Sequence, residues 1–495
     1  LAKAAQEQQI PYLSIWTVGA APSSHPMFLY KPTFLYQPPK AHQKQLGIPA
    51  MRVKNQYPML QIFPLSSIQP IPHWKTNHGK NIEKPELCPM NHAPVVFFSL
   101  FRSDNPYSSI SLSMAKELAK TGRVLYVNHP YSIKDCISGL LQGDPFLRRR
   151  LPRMLLGKNS YETLDSIPDN FMVVQPPITL PINWLPVGKI YNFLQRLNNR
   201  IVLRSIQKAV NAHEFRNYLY INCYDPFFAG YIPPKMGAKC CIYHCIDDIS
   251  QNAYTAKHGL KLENEACQKA DLTFVTSNNL KKLKAPFARR LVTFFNAADV
   301  SVFQKVITEE YLKPSELAGR NGRVIGFIGN LDELRIDYPL LKKIAASYPN
   351  DTLLLVGPLN SPEPTQIGLD KLPNVIFTGS RNLNDLPPLL QHMGCVLIPF
   401  LCNTLTASIY PLKINEYLAA GKTVVSTSFS EDIRSFAPVI LLASTHDDFI
   451  HKIERALTEN NPALTQQRIE IANTNTWEAR IKQLWNEVET LVPPK

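Results

Sequence analysis

The stretch PLKINEYLAAGKTVVST, residues 411–427, decides how the rest of the chain reads. Leu412, Ile414, Leu418 and Ala419 recur at roughly helical spacing and mark the buried face of a short helix. Pro411 suits a helix start, where its fixed φ is pre-organised and its missing N–H costs nothing. Gly421 ends the helix, because the residue just past a helix commonly needs positive φ. Val424 and Val425 then open a β-branched strand. Lys413 and Glu416 stand three apart and share one helical face. Lys413 falls in the first turn, where backbone N–H groups already favour an anion. A cation there, with a carboxylate one turn on that accepts from paired hydroxyls, suits phosphate and ribose together. The same spacing also fits a surface i,i+3 ion pair, and spacing alone leaves both readings open.

Outward from this unit the pattern repeats. RVIGFIGN (323–330), a helix from about Tyr338 to Tyr348, DTLLLVGP (351–358), NVIFTGS (374–380), a helix from about Asn384, and CVLIPF (395–400) precede it, and VILLA (439–443) follows. Strands alternating with helices imply a parallel sheet. Gly329 and Asn330 end the first of these strands, where a glycine lets backbone N–H groups approach a phosphate. GFIGN falls short of a full G-x-G-x-x-G. Residues 304–322, with Pro314, Gly319 and Gly322, read as a linker.

An earlier series of the same kind begins at Pro94. VVFFSL (95–100), a polar loop, a helix with Ile110, Met114 and Leu118 on one stripe, and VLYVNHP (124–130) form a strand–loop–helix–strand unit. Ligands of such sheets bind at the carboxyl ends of strands. The loop Phe101–Tyr107 is therefore a candidate site wall, with Arg102, Asp104, Tyr107 and Ser108 as its polar residues; a plain connection is the competing reading. KIYNFLQRLNNRIVLRSIQKAVNAH (189–213) reads as an amphipathic structural helix. NYLYINCYDP (217–226) and AKCCIYHCIDD (238–248) read as buried strands, the second ending in His244, Asp247 and Asp248. Chemistry sits at such an end, although a satisfied structural histidine fits equally.

The chain has 495 residues, 45% hydrophobic and 19% charged, enough for two or more globular domains. Its nine cysteines show no paired zinc-knuckle spacing, and Cys240, Cys241 and Cys245 fall within a buried strand, so a reduced compartment is expected. The net charge of +14 favours an anionic partner: nucleic acid, anionic lipid or a phosphorylated substrate. The first is set aside, since no helix-turn-helix, zinc-finger or RNP-like pattern occurs. No 18-residue apolar run and no signal-peptide pattern occur, and a cytoplasmic protein is expected. In DPFLRRRLPRMLLGK (144–158), Arg148, Arg149, Arg150, Arg153 and Lys158 interleave with apolar residues and suit an anionic membrane surface. A solvated basic loop is the alternative, and Pro152 argues against one continuous helix. Residues 1–92 carry recurrent prolines and no lasting periodicity, and read as an irregular leader without assigned function.

Taken in order, FSLFRSDNPYSSISLSMAKELAK, RVLYVNHPYS, YHCIDDIS, KADLTFVTSNNL, FNAADVSVF, VIGFIGNLDELRIDYPLL, LPNVIFTGS, LIPFLCN, PLKINEYLAAGKTVVST and NTWEARI resemble the GT-B glycosyltransferases. The likeness is to the retaining family-four group that builds bacterial cell-surface polysaccharides, with the teichuronic-acid-type enzymes as the nearest subgroup. It covers about residues 93–490.

The resemblance implies an α/β fold of two Rossmann-like parallel-sheet domains facing a central cleft. Residues 93–305 would bind the acceptor and 306–470 the nucleotide sugar, with 471–495 packing back toward the first domain. It implies transfer of a sugar from a nucleotide-diphosphate-sugar donor to a cell-surface polysaccharide or lipid-linked glycan, with retention. No cofactor and no metal are expected. Glu416 matches the second glutamate of the family's paired motif, and the first falls at Ser408 and is absent. Lys413 and Arg335 match the basic pair on the diphosphate, Gly329 and Asn330 the glycine-bearing loop, and His244, with Asp248 beside it, the histidine near the reacting sugar. Asn296 and Asp299 of FNAAD read as a structural turn. A nucleotide-sugar epimerase of the same fold and a non-catalytic nucleotide-sugar-binding scaffold remain as alternatives, the latter supported by Ser408.

Overall fold

Short apolar runs alternating with helices build two sheets in the computed structural model, which describes residues 92–104, 109–164, 170–459 and 461–491. All of these lie in one compact unit. The expected leader lies outside the described residues except at His92, as do Tyr107 and Ser108.

The first sheet comprises β1 (Val95–Ser99), β2 (Val124–Asn128), β3 (Ser160–Glu162), β4 (Phe171–Gln175), β5 (Tyr218–Cys223), β6 (Ala238–Cys245), β7 (Leu272–Val275) and β8 (Leu291–Thr293). Their order is β3-β4-β2-β1-β5-β6-β7-β8. Only the β3–β4 pair is antiparallel. Its central strands are buried on both faces, which is why they read as continuous apolar runs rather than alternating ones. Val95 and Phe97 pack with the helices Ile110–Ala119 and Trp477–Leu491. Val96 and Phe98 point the other way, onto the helix Lys189–Ala212.

The second sheet comprises β9 (Val324–Ile328), β10 (Thr352–Val356), β11 (Val375–Gly379), β12 (Cys395–Ile398), β13 (Val424–Thr427) and β14 (Leu441–Ala443). Its order is β11-β10-β9-β12-β13-β14, parallel where the strands pair. At Gly357 the backbone has φ 140° and an added Cβ would lie 1.8 Å from the Gly329 carbonyl oxygen, so only glycine fits.

Three expectations are corrected. The linker expected at 304–322, with its boundary at 305/306, begins inside the helix Val300–Thr308. Val300, Phe303 and Val306 face the second core at three-residue intervals, a stripe hidden by the polar residues between them. Likewise the boundary at 470/471 cuts the helix Pro462–Thr474, whose Ala472 is in that core. The separate helix Trp477–Leu491 returns to the first core through Trp477, Ile481, Leu484 and Trp485. The two crossings are joined: the Ala298 N–H donates to Asn475 O at 3.2 Å, and Arg480 Nε to Phe295 O at 2.9 Å.

Third, residues 145–155 form one helix straight through Pro152. The proline falls near its end, where one lost backbone bond is tolerable, and Asp144 caps its start by accepting from the Phe146 and Leu147 N–H groups. Arg150 does not face outward with its neighbours; it is 1% exposed and paired with Asp104 and Glu162.

Candidate functional site

In the second sheet the chain leaves β9 toward β10 on one side and returns as β12 on the other. That switch point opens a crevice at the strands' carboxyl ends. The loop after β9 forms its rim. It is laced to the loop after β12 by Leu401 N–H to Arg335 O at 2.7 Å, Asp337 N–H to Pro399 O at 2.9 Å and Asn403 Nδ2 to Leu334 O at 3.0 Å. Asn330 holds its place by accepting from Asn360 Nδ2 at 2.8 Å.

The helix Leu412–Ala419 meets the same rim. The Tyr417 hydroxyl accepts from the Ile328 N–H at 2.8 Å, which fixes the helix beside Gly329. Pro411 starts it with no side-chain cap, and Gly421 follows it at φ 67°. The buried face is wider than its apolar spacing indicates, because Asn415, Glu416 and Tyr417 are buried while Leu412 is only half-buried. Lys413 Nζ lies 2.7 Å from Glu416 Oε2, with the two side chains 25% and 11% exposed. Through that bond the helix that carries Lys413 and Glu416 stands beside the loop that carries Gly329 and Asn330.

Arg335 closes the rim. Its Nη1 is 3.5 Å from Asp332 Oδ2. Its charge also acts across the domain boundary on Asp247, whose carboxyl burial pushes up and Arg335 pulls partly back.

On the first sheet the expected pair separates. His244 is fully buried, with Nδ1 3.6 Å from Cys223 Sγ and its ring edge-on to Phe274 and Phe294. Burial pushes its pKa down to about 3. It packs among core residues, and its buried Nε2 has no hydrogen-bond partner. Asp248 caps the turn Ile249–Gln251, accepting from Ser250 N–H and Oγ at 3.0 and 2.6 Å and from Gln251 Nε2 at 3.0 Å. Arg102 lies over the Tyr131 ring at 3.9 Å, and Asp104 is held by Arg150 and by the Tyr131 hydroxyl. For Glu162, burial alone would raise the pKa, but the Arg150 hydrogen bond and charge override it and hold the carboxyl low.

Contacts between the halves come from loops at strand ends. Thr404 Oγ1 donates to Gln251 at 2.9 Å, Asn279 Nδ2 to Ser408 Oγ at 2.8 Å, and Asn278 Nδ2 to Asp432 Oδ1 at 2.7 Å. Since each partner follows the carboxyl end of a strand, the two sheets present that edge to each other. Ser408 is buried in this contact. Asn296, read as a structural turn, binds Tyr410 O and accepts from Asn415 through its own carbonyl.

The sequence reading missed one pair. His129 follows β2 and Asp225 follows β5, and His129 Nδ1 stands 2.6 Å from Asp225 Oδ2. Asp225 is fully buried and accepts from the Phe227 and Phe228 N–H groups, while a quarter of His129 is exposed. The carboxylate can only accept, so Nδ1 carries the proton and Nε2 of the neutral ring offers a lone pair. Position alone could have found them, since each lies just past a buried strand.

Residues 322–459 match the family described as "Glycosyl transferases group 1". TuaH of Bacillus subtilis (strain 168), named as a teichuronic acid biosynthesis glycosyltransferase, is 31% identical over 175 residues. The match covers 34% of this chain and 44% of TuaH, less than half of that relative. Among solved structures, sucrose-phosphate synthase from Thermosynechococcus elongatus aligns at TM-score 0.55 and 13% identity, covering 81% of this chain and 99% of that one. Anabaena HepE in complex with UDP and glucose aligns at 0.53 and 16%, covering 81% and 100%. An E. coli structure, described as trehalose-6-phosphate bound with UDP-2-fluoro glucose, aligns at 0.57 and 11%, covering 81% and 100%. At these identities the likeness establishes the fold, which is GT-B. Within that fold, residues 322–459 are the part of the chain that matches the group 1 glycosyl transferases.

Proposed function

We propose that the chain transfers a sugar, with retention and without a metal, from a nucleotide-diphosphate-sugar donor to a cell-surface polysaccharide or lipid-linked glycan. The observation that carries this is the Lys413–Glu416 pair at an uncapped helix start beside Gly329. The N–H groups of that first turn and Lys413 receive the diphosphate. Glu416 exchanges its lysine contact for ribose hydroxyls. Arg335 adds charge as the anomeric bond breaks and the leaving diphosphate gains negative charge. UDP and glucose are bound in the Anabaena HepE structure and UDP-2-fluoro glucose in the E. coli one, which supports the reading.

On the acceptor side, His129 replaces His244 and Asp248 as the group that receives the hydroxyl proton, oriented by Asp225. The contacts between strand-end loops exclude water from the donor when the halves close. Among the described residues no helix is long and apolar enough to cross a membrane, so a lipid-linked acceptor would be met from the membrane surface. The scaffold alternative keeps one observation in its favour: Ser408 is occupied by Asn279 where the family's first glutamate would stand.

The test is a panel of UDP-, GDP- and dTDP-sugars with and without EDTA, read by thermal shift and slow donor hydrolysis. At about 100 Kd a bound nucleotide adds about 2.7 kcal/mol of stability. One donor class stabilising the wild type but not Glu416→Ala supports transfer; no stabilisation by any donor refutes the site.

A further inference from the structure

Twelve of the twenty large apolar side chains that stand exposed among the described residues fall between Ile133 and Leu197. We infer that this face of the first domain seats on an anionic lipid bilayer. The helix Ile133–Gln142 buries only Cys136. Ile133, Ile137, Leu140 and Leu141 stand out at helical spacing, Leu141 at 84% exposure. Its apolar stripe faces away from the protein, the reverse of a helix that closes a core.

The helix Pro145–Leu155 closes on it through a small cluster of Tyr131, Cys136, Leu147 and Met154. The two helices come close at Gly139, where an added Cβ would lie 2.6 Å from Leu147 Cδ2. Phe146 and Leu155 are left exposed beside Arg148 and Arg149. The helix Lys189–Ala212 shows the same arrangement, with Ile190, Phe193 and Leu197 exposed. Arg196, Arg200, Arg204 and Lys208 form an exposed row at four-residue intervals, and the helix holds no acidic residue.

Both ends are tied to one short strip. The Ile133 N–H donates to Thr179 O at 3.1 Å, and Leu180 and Asn198 exchange two bonds of 2.9 Å. The helices that carry these faces are therefore anchored side by side on that strip, with Trp184 and Val187 exposed between them in sequence.

Charge selects the occupant. Residues 1–91 carry nine Lys and Arg against three Asp and Glu and so offer no complementary charge, and a second copy would bring the same arginine row. A negative headgroup layer over hydrocarbon matches both components of the face. The inference stands apart from glycosyl transfer, because vesicle binding needs no donor.

The experiment is co-sedimentation of the full chain with phosphatidylcholine vesicles, with and without roughly one-third phosphatidylglycerol. Binding to the anionic vesicles alone is expected, weakening as salt rises. Arg196→Glu with Arg200→Glu, and separately Ile137→Glu with Leu141→Glu, should each lower partition at least about tenfold. These side chains are exposed, and an unchanged melting temperature confirms that the variants fold. Equal partition to neutral and anionic vesicles, or none to either, overturns the inference. A dimer in sedimentation velocity that Leu141→Glu dissociates would put a second copy on this face and overturn it too.

Discussion

Asp225 and His129 stand 96 residues apart in sequence and 2.6 Å apart in space, each just beyond the carboxyl end of a different strand of the first sheet. A buried carboxylate fixing one ring nitrogen leaves the other to accept a proton. His129→Ala should lower kcat by about 10²–10³-fold while leaving donor-induced thermal stabilisation intact. Asp225→Asn should lose nearly as much, because the amide can present its N–H to Nδ1 and reverse the tautomer. Single-turnover kinetics beside a donor melting curve would check both, and unchanged turnover in His129→Ala would remove it from the mechanism.

Lys413 and Glu416 make a contrast testable without an acceptor. If the pair only braces its helix, the double alanine variant loses no more than about 0.5 kcal/mol of stability and nothing else. Donor binding predicts more: Lys413→Ala should weaken nucleoside diphosphate by about tenfold or more while nucleoside alone binds as before. Glu416→Ala should weaken both. Isothermal titration with the two ligands separates the outcomes.

The Asn278 backbone N–H and Nδ2 both donate to Asp432, a buried carboxyl raised by burial and lowered in part by those bonds. Asn278→Ala removes one donor from a buried acceptor and should cost about 1–3 kcal/mol of the contact between the halves. Weaker closure should raise the KM for donor and increase the radius of gyration in X-ray scattering.

His244 carries a pH signature of its own. Its pKa falls from 6.5 to about 3 on folding, owing to burial. Between those values the unfolded chain holds one more proton than the native one. Its contribution is therefore complete above about pH 6.5 and shrinks on acidification toward pH 3. From pH 6.5 to 5 the loss is about 2 kcal/mol. Urea midpoints for the wild type and His244→Leu should converge in slope above pH 7 and diverge below it; parallel curves would contradict a neutral buried ring.

The second half of the chain was more legible than the first. Lys413 and Glu416 lie within one helix, so local spacing brings them together before any folding is known. His129 and Asp225, or Asn278 and Asp432, meet only through sheet order, which a single sequence does not give. His244 could not be sided from the sequence because its strand is buried on both faces: Tyr243, His244 and Cys245 are all buried, and alternation offers no clue to which side faces a ligand. The helix over Val300–Thr308 was hidden by Gln304 and Lys305, whose polarity resembles a linker although Phe303 is fully enclosed. Pro152 misled in the opposite direction, since a proline near a helix end forfeits little.

The return of Trp477–Leu491 to the first core also bears on the order in which the protein is made. β1 to β8 leave the ribosome early, yet Trp477, Ile481, Leu484 and Trp485, which complete the packing over Val95, Phe97 and Leu219, are added after the whole second domain. Throughout that interval the nascent first half carries an open apolar face, the condition in which chaperones bind and aggregates form. A ribosome that stalls before Trp477 would therefore release a chain whose second half is finished and whose first half, though synthesised long before, is the part that fails.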